Sequence, residues 1–125
     1  MTKFLTILLM IARLLGVVLL LLGAAIWLGF GTGLTATHAI LGSLFVLDAW
    51  IIAIIALFAL PARALPLLLL ALGGVVAWFG GAQTSLLVGT GHWAIRLLHL
   101  LLGVAMLGLI EALAKAVRLH RQTVH

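Results

Sequence analysis

The chain has 125 residues, 66% of them hydrophobic, and its formal charge rests on only 7 Lys+Arg and 2 Asp+Glu. A soluble domain carries charge on about a quarter of its residues, so a charged fraction of 7% argues against a soluble enzyme, a disordered chain or a nucleic-acid-binding domain. The net charge of +5 comes from a few basic residues beside long apolar runs, where they serve as topology signals and do not point to nucleic acid. Cysteine is absent, which removes disulfides, thiolate metal sites, Fe–S clusters and covalent c-type haem attachment.

A spanning helix needs about 20 mostly apolar residues, and four such stretches follow one another. The first runs from about Leu14 to Phe30, with Phe4 as its earliest start. Its opening, Lys3 and an apolar run toward Gly23-Ala24-Ala25, is signal-peptide-like. Arg13 interrupts that run, and the apolar stretch continues to Phe30, so it reads as a retained first helix. Gly31-Thr32-Gly33-Leu34-Thr35 is then a turn. The second stretch runs from His38 to Leu60, and Pro61 to Pro66 reads as a tight loop bracketed by two prolines. The third covers about Ala64 to Phe79, followed by a loop rich in Gly, Thr and Ser from Gly80 to Gly91, and the fourth covers about Trp93 to Val117.

Lys3, Arg13, Arg63, Lys115, Arg118 and Arg121 fall on one face of this arrangement and only Arg96 falls near the other. Basic residues concentrate on the cytoplasmic side, so both termini are expected there, in a multi-pass protein of the inner (cytoplasmic) membrane. The expected fold is an all-α integral membrane protein, an antiparallel four-helix transmembrane bundle. It forms a single membrane domain over residues 1–125, with hairpin one at about 4–60 and hairpin two at about 64–121.

The two hairpins resemble each other. Leu22-Gly23 with Trp27, a Gly/Thr turn and His38-Ala39-Ile40-Leu41-Gly42 in the first parallel Leu72-Gly73 with Trp78, a Gly/Thr/Ser loop and His99-Leu100-Leu101-Leu102-Gly103 in the second. Tandem duplication and chance similarity of apolar helices both account for this. Either way, helices two and four run in the same direction, with a histidine of each near the outer face.

An ionisable group inside a membrane is costly and marks a candidate site. Here these groups are His38, Asp48, Arg96, His99 and Glu111, with His92 at the boundary. The sequence holds no Tyr, no HExxH and no Ser-His-Asp set, which leaves little for hydrolysis. Two imidazoles at similar depth on parallel-running helices are what a haem iron needs as axial ligands. Gly42 and Gly103, each four residues on, lie on the same face one turn deeper and leave room for a flat porphyrin. Close helix packing is the other use of such glycines. Arg96, three residues before His99, either pairs with haem propionates or snorkels to the headgroups. His92, two turns before His99, is the reserve ligand.

Asp48 lies near mid-membrane, where it is expected protonated or paired. A hydrogen bond to Trp50, Ser43 or a backbone carbonyl would satisfy it, and a proton-relay or quinone-site role is the functional alternative. Glu111 has Lys115 four residues on, the spacing of a helical ion pair. His120 and His125 lie in the basic tail.

With His-x-x-x-Gly on helices two and four, the chain resembles the bis-histidine b-type membrane cytochromes. That resemblance implies one haem b near the outer face, held by His38 and His99. Family members commonly carry two haems, but this sequence has no second histidine pair near the cytoplasmic side, so electron transfer across the membrane by this chain alone is not implied. The expected role is an electron carrier or the haem subunit of a redox complex, not a stand-alone enzyme. Its expected partners are the lipid bilayer, a redox protein or quinone, and further copies or a larger membrane complex. Two other readings stand beside it. One is an accessory or scaffold subunit without chemistry. The other is a small proton-coupled transporter using Asp48, similar in length to the small multidrug resistance transporters but lacking their carboxylate in helix one.

Overall fold

The computed structural model describes residues 2–31 and 33–123. It contains four α-helices, α1 (Thr2–Trp27), α2 (Leu34–Ala59), α3 (Ala64–Ala82) and α4 (His92–Thr123). Each is long and apolar enough to cross a membrane. The protein is therefore a multi-pass membrane protein, an antiparallel four-helix bundle. His125, assigned from sequence to the tail, lies outside the described residues.

The helices are longer than the apolar stretches that announce them, but α1 stops at Trp27, short of Phe30, and α2 takes in Leu34 and Thr35 from the expected turn and stops at Ala59, short of Leu60. At about 1.5 Å per residue, the 19 residues of α3 just match a hydrocarbon core of about 30 Å, and the 32 residues of α4 extend past it. Arg13 does not delay α1, which starts at Thr2, because its guanidinium finds a carboxylate on α4. Gly80 and Gly81 continue α3 instead of opening the loop. Pro66 lies in the first turn of α3 and is buried. A helix leaves its first amides unbonded, so a residue without N–H costs nothing there.

The helix ends follow local chemistry. After α1, the Gly29 amide donates to Ile26 O (3.1 Å) and the Phe30 amide to Ala25 O (2.9 Å). This is a Schellman closure, which needs a left-handed residue, and Gly29 supplies it at φ +85. α2 stops at Leu60, whose extended backbone (φ −117, ψ 139) is what the following proline imposes.

In cross-section α2 packs on α1 and α3, α4 also packs on α1 and α3, and α2 touches α4 across the middle. α1 and α3 do not meet. The main core, including Leu8, Ala12, Ala49, Ile52, Ala53, Leu69, Met106, Ile110 and Leu113, belongs to the half nearer the termini. Trp50 locks α2 to α3 there, its Nε1 donating to Leu70 O at 3.1 Å. The ring lies so close to Gly73 that a Cβ would stand 2.5 Å from Nε1.

Candidate functional site

The half nearer the two interhelical turns is built differently. His38 lies one turn into α2 and His99 two turns into α4, on the helices that meet across the bundle. Their rings face each other with centroids 6.2 Å apart and planes at 59°. Both side chains are half-buried. Each Nδ1 is buried and has no hydrogen-bond partner among the described residues.

The two rings have matching seats. A Cβ at Gly23 of α1 would come within 3.5 Å of His38 Cε1, and a Cβ at Gly80 of α3 would come within 3.5 Å of His99 Cε1. Each imidazole thus rests on a glycine of the helix beside it, in a two-fold-like pattern. The sequence match had aligned Gly23 with Gly73. At the level of the histidines the counterpart of Gly23 is Gly80, two turns further along, while Gly73 is occupied by the Trp50 lock. Phe79 stacks on His99 with centroids 6.0 Å apart and planes at 10°.

Of the two motif glycines, Gly103 adjoins open space and Gly42 is loosely covered. Nothing lies within 4 Å of a Cβ built on Gly103, and only Leu19 Cδ2, at 4.0 Å, approaches one built on Gly42. Arg96, one turn before His99, is exposed and makes no hydrogen bond or ion pair with a described residue. The reserve ligand His92 is engaged elsewhere: its Nδ1 lies 3.2 Å from Leu86 O and ties the α3–α4 loop to the start of α4. It is His99 whose ring meets His38.

Two sequence expectations change. Glu111 does not pair with Lys115; it accepts from Arg13 Nε at 2.6 Å and Arg13 Nη2 at 2.9 Å. The fork of a guanidinium on the neighbouring helix matches both carboxylate oxygens, which a lysine on the same helix cannot do. Asp48 is buried with Oδ2 unpartnered, and neither Trp50 nor Ser43 serves it. Trp50 lies two positions on, about 200° around the helix, and bonds α3. Ser43 Oγ donates to Ala39 O of its own helix at 3.0 Å.

No group of three or more His, Cys, Asp or Glu side chains able to hold a metal ion occurs among the described residues. Two imidazoles alone leave a six-coordinate metal four ligands short. Gly23, Gly80 and Phe79 escaped the sequence reading because their roles depend on which helices are neighbours. Gly23 and His38 stand equally far from the turn, four residues from the end of α1 and from the start of α2, but only the helix ends of the structure reveal it. No family model, curated protein or solved structure matches the chain.

Proposed function

We propose that the chain binds one haem b between His38 and His99, in the turn-side half of the bundle, and serves as an electron carrier or as the haem subunit of a redox complex. One observation carries this reading, the 6.2 Å between the two ring centroids. Imidazole nitrogen bonds a transition metal at about 2.0–2.1 Å and lies about 1.1 Å from its ring centre, so two rings on opposite sides of one ion stand about 6.3 Å apart.

His38 and His99 would hold the group, and a porphyrin would bring the donors that two histidines lack together with one-electron chemistry at its iron. The remaining work falls to the chain. Gly42 and Gly103 keep side chains out of the space beside the rings. Gly23 and Gly80 let the imidazoles lie close to the neighbouring helices, and Phe79 fixes the plane of His99. Arg96 is free to neutralise propionates on the turn side. A redox protein or quinone would complete the electron path.

The test is an absorption spectrum, oxidised and dithionite-reduced, of protein made in a haem-replete host. The expected result is a Soret band that shifts on reduction and is lost in His38→Ala and His99→Ala. A colourless wild type, or a band that survives the double substitution, overturns the reading. The finer topology belongs to the same proposal, with the end bearing Lys3, Arg63, Lys115 and Arg118 cytoplasmic. The chain has no cysteine, so Ala62→Cys and Thr84→Cys can be probed separately with an impermeant maleimide, and only the second should react from outside.

A second reading, a small proton-coupled transporter, is favoured by the unpartnered Oδ2 of buried Asp48. Proton-driven uptake in liposomes that Asp48→Asn leaves unchanged would remove it.

A further inference from the structure

Away from the histidines, toward the terminal end, α1 and α4 border a cleft of about 130 Å³. Its apolar wall includes Leu5, Leu9, Ala114 and Val117, all buried, and its polar lining includes Arg13 and Arg118. Arg13 is held by Glu111. Arg118 acts on Glu111 through its charge alone and forms no close ion pair with a described residue. The chain has only two acids; one is buried in α2 as Asp48, and the other, Glu111, is bonded on both oxygens by Arg13. Two guanidiniums and one carboxylate therefore leave the cleft with a net positive charge.

We propose that this cleft binds the phosphate headgroup of an anionic phospholipid, with Arg118 as its principal ligand and Arg13 as the second. The occupant follows from charge and surroundings. Four spanning helices are bathed in lipid, and a basic cleft between transmembrane helices beside the interface suits an anionic headgroup. The buried apolar wall gives the start of an acyl chain a surface to follow. Guanidinium is suited to phosphate because its fork reaches two oxygens at once. A second copy of this chain is the wrong partner for the cleft, since it brings a net charge of +5 to a positive site. Glu111 has a further part here: by holding Arg13 across the α1–α4 seam it fixes the distance between the two cations.

The site is independent of the histidine pair and can be tested without pigment. Full-length protein is released from micelles containing equal phosphatidylglycerol and phosphatidylcholine, and retained lipid is counted by native mass spectrometry. The expected result is one retained phosphatidylglycerol in preference to phosphatidylcholine. Arg118→Gln should cut that preference about fivefold, the contribution of one basic residue near an anionic surface. Arg118→Lys, which keeps the charge, should retain it in part, and Lys115→Gln, outside the cleft, should leave it intact. Equal retention of the two lipids by wild type overturns the proposal. So does full preference in Arg118→Gln, or an equal loss in Lys115→Gln, which would mark a diffuse basic surface. If inorganic phosphate at the same concentration displaces the lipid, the cleft is a free-anion site and the lipid assignment fails.

Discussion

The two halves of this bundle are packed by different rules. In the half toward the termini, Ala12, Ala49, Ala53, Leu69, Met106, Ile110 and Leu113 are closed to solvent, and a glycine is present because an indole fills its place. In the half toward the turns, the buried apolar residues among the described residues are fewer: Phe45 and Val46 near the middle, and Phe79 and Ile95 beyond them. Two polar rings occupy the centre, each seated on a glycine of a neighbouring helix, and Gly103 adjoins open space. Membrane helices associate through close packing and interhelical hydrogen bonds, and the terminal half uses both. The turn-side half spends its interior on groups that packing alone would not choose, and this contrast is where a binding role is best sought.

The sharpest way to break the comparison is one substitution made in each half. Gly73→Ala places a Cβ about 2.5 Å from Trp50 Nε1 and must displace the ring and its bond to Leu70. Overpacking of this kind costs about 1–3 kcal/mol, read as a lower unfolding temperature in detergent, with pigment binding affected only in proportion. Gly103→Ala meets nothing within 4 Å and should leave apoprotein stability within about 0.5 kcal/mol, while narrowing the space beside His99 and weakening haem retention. If both variants lose stability alike, the turn-side half is packed after all, and the contrast fails.

A second comparison is internal to the terminal half. Glu111→Gln leaves Arg13 without its carboxylate inside a spanning segment and should lower the unfolding temperature, whereas Lys115→Gln should not. Exchanging the charges, Arg13→Glu with Glu111→Arg, should recover most of the loss. The same melting curves would expose a helical Glu111–Lys115 pair if Lys115→Gln proved the costlier change.

Long apolar runs carried the fold plainly, because bilayer thickness imposes a length that composition cannot disguise. The errors were made where tertiary partners decide. Arg13 looked like an interruption until a carboxylate 98 residues away accounted for it. Glu111 looked paired at i+4 because helical spacing is the only neighbourhood a sequence displays. The histidine motifs were visible for the same reason, since His-x-x-x-Gly is local. Their seats on Gly23 and Gly80 were not, as each belongs to the adjacent helix, and an apolar repeat can be aligned in more than one register. Pro66 reads from the sequence as the close of a loop, although the first turn of a helix accepts proline equally well.

The smallest expected effect bears most directly on what the turn-side half is for. His38 Nδ1 is buried without a hydrogen-bond partner among the described residues, and leaving such a group unsatisfied costs about 1–3 kcal/mol. His38→Leu, similar in bulk and without polar atoms, should therefore raise the unfolding temperature of the apoprotein slightly while abolishing the Soret band. A residue that lowers stability and is needed for a ligand is a residue held for the ligand. Should His38→Leu instead destabilise the apoprotein as a core deletion does, the imidazole would be a structural member of the bundle. The open space beside Gly103 would then need another explanation.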